Sequence, residues 1–260
     1  MSGSPEESAA TSATNPPVFG PGAQSLDSAT CENAFGATAA PHYRQWEYDL
    51  VSPFLGRSVL EVGSGIGYFA EKLADGGLDR LVVSDTDEAC LERLRLTYAD
   101  RPDVEVAEVA LPGPVQIGGP VESVVAMNVL EHIEDDAQAL RDLAAVVTPG
   151  GRIVLWVPAY MQLYGDFDRK VGHFRRYTPG TIRAAVERAD LRVRSVRPVN
   201  FLGGLAWWIA VRRGGAGRPD PRLVWLYDNI VVPTSRTIER AVRPPFGQSV
   251  LCVADVDPSS

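Results

Sequence analysis

In residues 59–70, VLEVGSGIGYFA, a short apolar run leads into three glycines and then into apolar residues at helical spacing. A strand, a glycine turn and a helix in this order form the first unit of a doubly wound α/β sheet. Glycine lets the backbone approach a ligand closely and adopt φ values that other residues resist. The stretch therefore predicts a ligand site at the carboxyl end of the strand, against the helix N-terminus.

The glycine spacing indicates the kind of ligand. A dinucleotide pattern G-x-G-x-x-G starting at Gly63 would require a glycine where the chain has Tyr68. Glu61 lies two residues before the first glycine, where a carboxylate suits an ammonium group and would repel a pyrophosphate. Asp85 follows about 20 residues later, where an acid accepts ribose hydroxyls. The implied ligand has a ribose and a cationic amino-acid end, without a diphosphate.

Outward from this stretch, apolar runs alternate with helical patterns. We expect strands at 58–63, 80–85, 104–109, 122–129, 151–159, 191–201 and 249–256. Together they predict a doubly wound, mostly parallel seven-stranded α/β sheet in which the last two strands form an antiparallel edge. A largely helical insertion at about 203–243 would form a helical cover. Residues 1–30, rich in Ser, Ala, Thr, Pro and Gly, predict a disordered tail, which leaves 31–260 as a single domain.

The composition limits the function classes. The 260 residues carry a net charge of −8, which argues against a nucleic-acid partner, since such partners attract Lys and Arg. Three widely spaced cysteines without a CxxC pair predict neither a disulfide framework nor a structural zinc site, and they fit a cytoplasmic location. No apolar run is long enough for a transmembrane helix, so we expect no stable membrane insertion.

Four segments in order resemble the class I S-adenosylmethionine-dependent methyltransferases: EVGSGIG (61–67), SDTD (84–87), VVAMNVLEHIEDD (124–136) and TPGGRIVLWVPA (148–159). The resemblance extends over about residues 39–201 plus the final strand, and it implies a Rossmann-like methyltransferase fold with S-adenosyl-L-methionine as cofactor. The segments LYGDFDRKVGHFRRYTPGTI and PPFGQSVLCVA are similar to a bacterial branch associated with glycan and specialised-metabolite assembly.

The resemblance assigns cofactor contacts residue by residue. It places the methionine end of the cofactor against Glu61, Gly63 and Gly65, the ribose against Asp85, and the adenine beside Thr86. Asn128 and Leu130 would lie beside the sulfonium. Tyr43, on the helix before the first strand, is either a lid over the sulfonium through cation–π attraction or a core residue. The third strand lacks the aspartate that contacts adenine in many members, so we expect adenine to be recognised through backbone groups.

Two histidines are candidates for the catalytic base. His132 follows the fourth strand and faces the cofactor crevice in the expected fold; the alternative is that it shapes the pocket or caps a helix. His173 lies on the loop after the fifth strand, where it either contacts the acceptor or packs the loop. The neighbouring acidic run, from Glu131 to Asp136, is interpreted as N-terminal charge on the next helix, so we expect no metal site.

The loop DFDRKVGHFRRY (166–177) carries four cations against two aspartates within an acidic chain. Arginine forks suit phosphate and carboxylate oxygens, so Arg175, Arg176 and Tyr177 are candidate contacts to an anionic group on the acceptor. The alternative is that the aspartates pair with these cations. Likewise NFLGGLAWWIAVRR (200–213) either covers the acceptor pocket or touches a membrane surface.

The predicted function is methyl transfer to an O or N atom of a small molecule. Two other classes stay open: a nucleotide-dependent oxidoreductase on a similar sheet, and a cofactor-binding partner protein without activity. Tyr68 in place of glycine argues against the oxidoreductase, and the combination of intact glycines, Glu61 and Asp85 argues against the inactive partner.

Overall fold

The computed structural model describes residues 40–212 and 221–257. The strands are β1 (Ser58–Val62), β2 (Arg80–Asp85), β3 (Val104–Glu108), β4 (Val121–Met127), β5 (Val147–Pro158), β6 (Arg192–Val199) and β7 (Ser249–Asp255). The helices are α1 (Pro41–Val51), α2 (Tyr68–Ala74), α3 (Glu88–Thr97), α4 (Asp136–Ala144), α5 (Asp166–Lys170), α6 (Pro179–Arg188), α7 (Phe201–Arg212), α8 (Pro221–Leu226) and α9 (Val232–Ala241). The tail predicted at residues 1–30 lies outside the described residues, so the division into a tail and one domain stays a prediction.

The seven strands form one sheet in the order β3-β2-β1-β4-β5-β7-β6. Strands β1 to β5 are all parallel to one another. β7 pairs antiparallel with both β5 and β6, which places it one position inside the β6 edge. The predicted fold class is confirmed, including the antiparallel pairing at this side of the sheet.

The sheet is buried on both faces because helices cover each of them. Alternate residues of β1 point to opposite sides: Leu60 and Val62 belong to one apolar cluster, and Val59 belongs to the other. The central strand β5 ends in six consecutive buried residues, from Ile153 to Pro158. A continuous apolar run is what a strand covered on both faces requires.

Several strand ends differ from the predicted ones by one or two residues, and two departures are larger. β5 begins at Val147 instead of residue 151, because Val147 pairs with Val121 and the chain stays in the sheet through Pro149 and Gly150. The segment expected as a loop up to Tyr177 contains the short helix α5.

The helical cover consists of α7, α8, a π-helical turn at Tyr227–Val231, and α9. It holds α1 through Asp228, whose buried carboxylate accepts hydrogen bonds from the backbone N–H groups of His42 and Tyr43 at 3.2 and 2.9 Å. α7 lies over the 160–177 segment, since the Trp207 indole N–H donates to the Leu163 carbonyl at 3.0 Å. Among the described helices, none combines the length and the apolar character needed to cross a bilayer.

Candidate functional site

The candidate site lies where β1, β2 and β4 end, which we call the carboxyl edge. β1 stands between β2 and β4, so the chain leaves it toward one side of the sheet and later returns on the other. In open α/β sheets this reversal of strand order opens a crevice in which ligands bind. The glycine loop, Asp85 and Asn128 all follow directly from strands that end here.

The glycine loop needs its glycines for conformation and for space. Gly63, Gly65 and Gly67 have φ values of +70°, +55° and +90°, which residues with a side chain rarely adopt. A Cβ at Gly63 would lie 2.6 Å from the Val129 side chain. A Cβ at Gly65 would meet nothing within 4 Å, so the backbone there borders open space.

Asp85 ties the loop to the end of β2. One carboxylate oxygen accepts the Gly65 N–H at 2.8 Å, and the other accepts the N–H groups of Thr86 and Asp87 at 2.8 and 3.0 Å. The side chain is half-buried, so its oxygens stay close to solvent and to the open space at Gly65. Asp85 therefore lies beside the glycine loop, and the contacts of Asp85 with the ribose and of Thr86 with the adenine stay predictions.

Glu61 is buried in the same region, with 1% of its surface exposed. Its carboxylate accepts a hydrogen bond from the Ser64 hydroxyl at 2.7 Å. Burial raises the pKa of Glu61 to about 7, and the charge of Asp85 adds to this effect, whereas the Ser64 hydrogen bond opposes it. A buried carboxylate with few donors is well suited to receive a cationic ligand group.

Asn128 and Leu130 follow β4 at the same edge. Asn128 has a φ of +55°, and its N–H donates to the Trp156 carbonyl at 2.7 Å. Non-glycine residues in this conformation are concentrated at functional sites. Leu130 is buried in one of the two apolar clusters.

Tyr43 packs among aromatic rings. Its ring centroid lies 6.5 Å from those of Trp46 and Trp156, both in edge-on geometry, and 6.1 Å from that of Tyr227. Burial, followed by the charge of Glu47, raises the pKa of its hydroxyl well above the ordinary value. These contacts favour the packing role among the two considered, and its contact with a cofactor stays a prediction.

The two candidate histidines lie side by side. The ring centroids of His132 and His173 are 4.6 Å apart in edge-on geometry. The side chain of Glu131 joins them: one of its oxygens is 3.8 Å from Nε2 of His173. We call Glu131, His132 and His173 the histidine cluster. Burial, then the neighbouring His173, lowers the pKa of His132 to about 3, so this imidazole is neutral at pH 7.

Asp168 organises the segment that supplies His173. Its buried carboxylate contacts Nδ1 of His173 at 2.7 Å and accepts two hydrogen bonds from the Arg176 guanidinium at 2.7 and 3.0 Å. It also accepts the Gly165 N–H at 2.9 Å. The hydrogen bonds to His173 and Arg176 hold the pKa of Asp168 below its ordinary value despite burial. Asp168 therefore fixes both the imidazole and the guanidinium.

The residues expected to contact an anionic acceptor have partners within the protein. The Arg176 guanidinium is buried on Asp168 and lies over the Trp207 ring at 5.4 Å. Arg175 binds Asp136 at 3.0 Å and the Glu134 carbonyl at 2.7 Å. The alternative left open by the sequence was pairing with Asp166 and Asp168 in a solvated loop. Arg176 does pair with Asp168, but the pair is buried, whereas Arg175 pairs with Asp136 outside the loop.

Tyr177 completes this arrangement from the protein interior. Only 1% of its surface is exposed, and its hydroxyl contacts Asp136 at 3.1 Å and the Leu130 carbonyl at 3.3 Å. Burial, then the Asp136 charge, raises the pKa of this hydroxyl far above its ordinary value. Asp136 also binds Arg188 at 2.9 Å, so one carboxylate joins the end of β4, α4 and α6.

The acidic run after β4 serves three purposes instead of one. Asp135 caps α4 by accepting the Gln138 N–H at 2.9 Å, as expected for N-terminal charge. Asp136 is the buried acceptor for Arg175, Arg188 and Tyr177. Glu131 lies before the helix, within the histidine cluster. The position of Glu131 beside the two histidines was not predicted from the sequence. Neither was the position of Asp168, because only the folded loop shows which cations that aspartate binds.

The comparisons with known proteins agree with this geometry. A family model described as "Methyltransferase domain" matches residues 39–196, more than half of the chain. The chain therefore belongs to this family of class I S-adenosylmethionine-dependent methyltransferases. A Mycolicibacterium smegmatis protein named as a probable S-adenosylmethionine-dependent methyltransferase is 31% identical over 166 residues, and an uncharacterized methyltransferase of Mycobacterium leprae is 29% identical over 192.

These alignments cover 62% and 70% of this chain, and they span 62% and 69% of the two relatives.

Solved structures show the same fold. An S-adenosylmethionine-dependent methyltransferase from Mesorhizobium loti superposes with a TM-score of 0.56 at 15% identity, covering 80% of this chain and 97% of that one. The N-methyltransferase NodS from Bradyrhizobium japonicum, in complex with S-adenosyl-L-homocysteine, gives 0.54 at 16% identity, covering 87% and 93%.

Proposed function

We propose that this protein transfers a methyl group from S-adenosyl-L-methionine to an oxygen or nitrogen atom of a small molecule. The observation that carries the proposal is the carboxyl edge, where a glycine loop with a buried carboxylate and the histidine cluster both follow from neighbouring parallel strands. Glu61, Gly65 and Asp85, which we call the cradle, have the features of a cofactor site. The histidine cluster has side chains that can accept a proton.

The cradle residues fit S-adenosyl-L-methionine. Open space borders Gly65, Glu61 offers a buried carboxylate for the amino group, and Asp85 offers oxygens for the ribose hydroxyls. When bound, the cofactor supplies a methyl group on a positively charged sulfur. The protein then has to hold the acceptor atom in line with that methyl group and to exclude water.

The histidine cluster is positioned to handle the acceptor's proton. The bond from Asp168 to Nδ1 of His173 fixes the imidazole, which leaves Nε2 directed toward Glu131. Such an acid–imidazole pair is a common arrangement for a base. His132 and His173 remain our candidates for the groups that activate the acceptor. We expect His132→Ala or His173→Ala to lower turnover by about 10²–10⁴-fold while S-adenosyl-L-methionine affinity is maintained.

The setting of the reaction is also part of the proposal. The resemblance of residues 163–182 and 244–254 to a bacterial branch supports an acceptor from glycan or specialised-metabolite biosynthesis. The charge of −8 supports a small acceptor over a nucleic acid, and buried Cys90 and Cys252 are consistent with a cytoplasmic location. An anionic group on the acceptor would reach the half-buried Arg175 more readily than the buried Arg176.

Binding titrations test the proposal against its alternatives. We expect calorimetry to detect saturable binding of S-adenosyl-L-methionine and of S-adenosyl-L-homocysteine, and none of NADH. Incubation with methyl-labelled cofactor and a panel of hydroxylated and amino-bearing sugars and aromatics should then transfer label to one class of acceptor. Binding of NADH in place of the sulfonium cofactor would refute the proposal, and cofactor binding without any transfer would favour the non-catalytic partner.

A further inference from the structure

Glu131 is a buried carboxylate whose side chain has no hydrogen-bond partner among the described residues. None of its surface is exposed, and neither side-chain oxygen has a hydrogen bond. An isolated carboxylate in such a place is costly unless a cation or a donor approaches it. The guanidinium of Arg176 is bound to Asp168 and makes no hydrogen bond to Glu131.

The two histidines converge on this carboxylate. Glu131, His132 and His173 each offer one ligand atom, and these three atoms lie within 4.8 Å of one another. The Oε1–Nε2 distance between Glu131 and His173 is 3.8 Å. A zinc-type ion with bonds of about 2.0–2.2 Å holds its ligand atoms roughly 3–3.5 Å apart. Side-chain rotations that shift these atoms by about 1 Å would therefore allow all three to bind the same ion.

In metal-binding histidines, the ring nitrogen that does not bind the metal usually has a hydrogen bond to a carboxylate or a backbone carbonyl. Both imidazoles have such a hydrogen bond. Nδ1 of His173 contacts the Asp168 carboxylate at 2.7 Å, which orients Nε2 toward Glu131. His132 has a hydrogen bond to the main chain of Val171. A carboxylate or carbonyl on the outer nitrogen fixes the ring orientation and increases the basicity of the inner nitrogen. Asp168 is itself held by Arg176 and Gly165, so this support is rigid.

We infer that Glu131, His132 and His173 bind one divalent transition-metal ion of the zinc class. Two imidazoles and one carboxylate are a ligand set of catalytic zinc sites, which keep a fourth position open. The inference rests on the proposed function, because that open position would receive a hydroxyl oxygen of the methyl acceptor. The ion would then activate that hydroxyl by lowering its pKa, and the two histidines would act as metal ligands instead of as the base. It revises the expectation of no metal site, which treated Glu131 as helix-end charge.

Metal titrations of the full-length protein test the inference. After treatment with a chelator and dialysis, the protein is titrated with ZnCl2 by calorimetry and with CoCl2 by visible absorption. We expect one ion per chain and a cobalt absorption band of a nitrogen- and oxygen-coordinated site. Glu131→Gln keeps the shape of the side chain and removes its charge, and it should weaken Zn²⁺ binding at least tenfold. His132→Ala should do the same if Glu131→Gln does not fold.

The matched control is Glu134→Gln, which alters an exposed carboxylate three residues away and should bind Zn²⁺ as the wild type does. Absence of saturable Zn²⁺ binding, or equal binding by the Glu131 and Glu134 variants, overturns the inference. Titration of the same samples with S-adenosyl-L-methionine separates the two proposals. Cofactor binding without metal binding refutes only the metal site, whereas loss of cofactor binding by the wild type refutes the proposed function.

Discussion

Protonation of Glu61 should control cofactor affinity. Burial raises the pKa of this carboxyl group from 4.5 to about 7 in the cofactor-free protein. The amino group of S-adenosyl-L-methionine is a cation, so it favours the ionised carboxylate and lowers the pKa of Glu61 on binding. As the pH falls below 7, more Glu61 is protonated before binding, and the affinity for the cofactor therefore decreases.

The magnitude follows from the ionised fraction. With a pKa of about 7, the ionised fraction of Glu61 falls from roughly three quarters at pH 7.5 to roughly 1% at pH 5. If the bound pKa lies near 4.5, affinity should fall by about 10–100-fold over this range. Calorimetry at several pH values measures this dependence, and near pH 6 the use of two buffers with different ionisation enthalpies should reveal release of almost one proton.

Two variants isolate the effect of Glu61 from titration of the cofactor itself. Glu61→Gln should bind more weakly at pH 7.5 and show only the pH dependence of the cofactor. Glu71→Gln, at an exposed position on α2, should follow the wild type. A wild-type affinity that is constant from pH 5 to 7.5, or an equal slope in the Glu61 variant, would refute the reasoning.

Three further substitutions test the cradle and the loop. Gly65→Val should abolish S-adenosyl-L-methionine binding, since it fills the open space, while Gly77→Val, at another glycine of positive φ and open surroundings, should retain it in calorimetry. Asp85→Ala should weaken binding more than tenfold, because hydrogen bonds to a charged acceptor contribute about 1.5–3 kcal/mol, and an unchanged affinity would contradict this role. Arg176→Ala should destabilise the protein by about 3–5 kcal/mol in thermal or denaturant unfolding, because the buried Asp168 loses its guanidinium partner. Unchanged stability with a raised acceptor KM would instead indicate substrate contact.

The sheet could be predicted from sequence because its signals are local. The glycine loop after β1, the acid at the end of β2 and the apolar run of β4 each lie within a few residues. Burial on both faces gives continuous apolar runs, and their alternation with helical patterns defines the topology. Val147 shows the limit of this signal, since only its pairing with Val121 in β4 extends β5 through a proline and a glycine.

The histidine cluster could be predicted only in part. His132 and His173 are rare residues in this chain and were found by their positions after strands. The role of Asp168 depends on a fold of the loop that brings it onto both His173 and Arg176, and no periodic pattern encodes that fold. The excess of cations in residues 166–177 predicted that Arg176 faces solvent or substrate, because the sequence does not show which ion pairs are buried.

The bond between α1 and the helical cover sets an order of assembly. Asp228 accepts the backbone N–H groups at the start of α1, and 186 residues separate it from His42. During synthesis on the ribosome, the strands from β1 to β5 emerge long before Asp228 does. α1 therefore lacks this cap until the cover has been synthesised. A contact between residues so far apart in the chain raises the contact order, which slows folding.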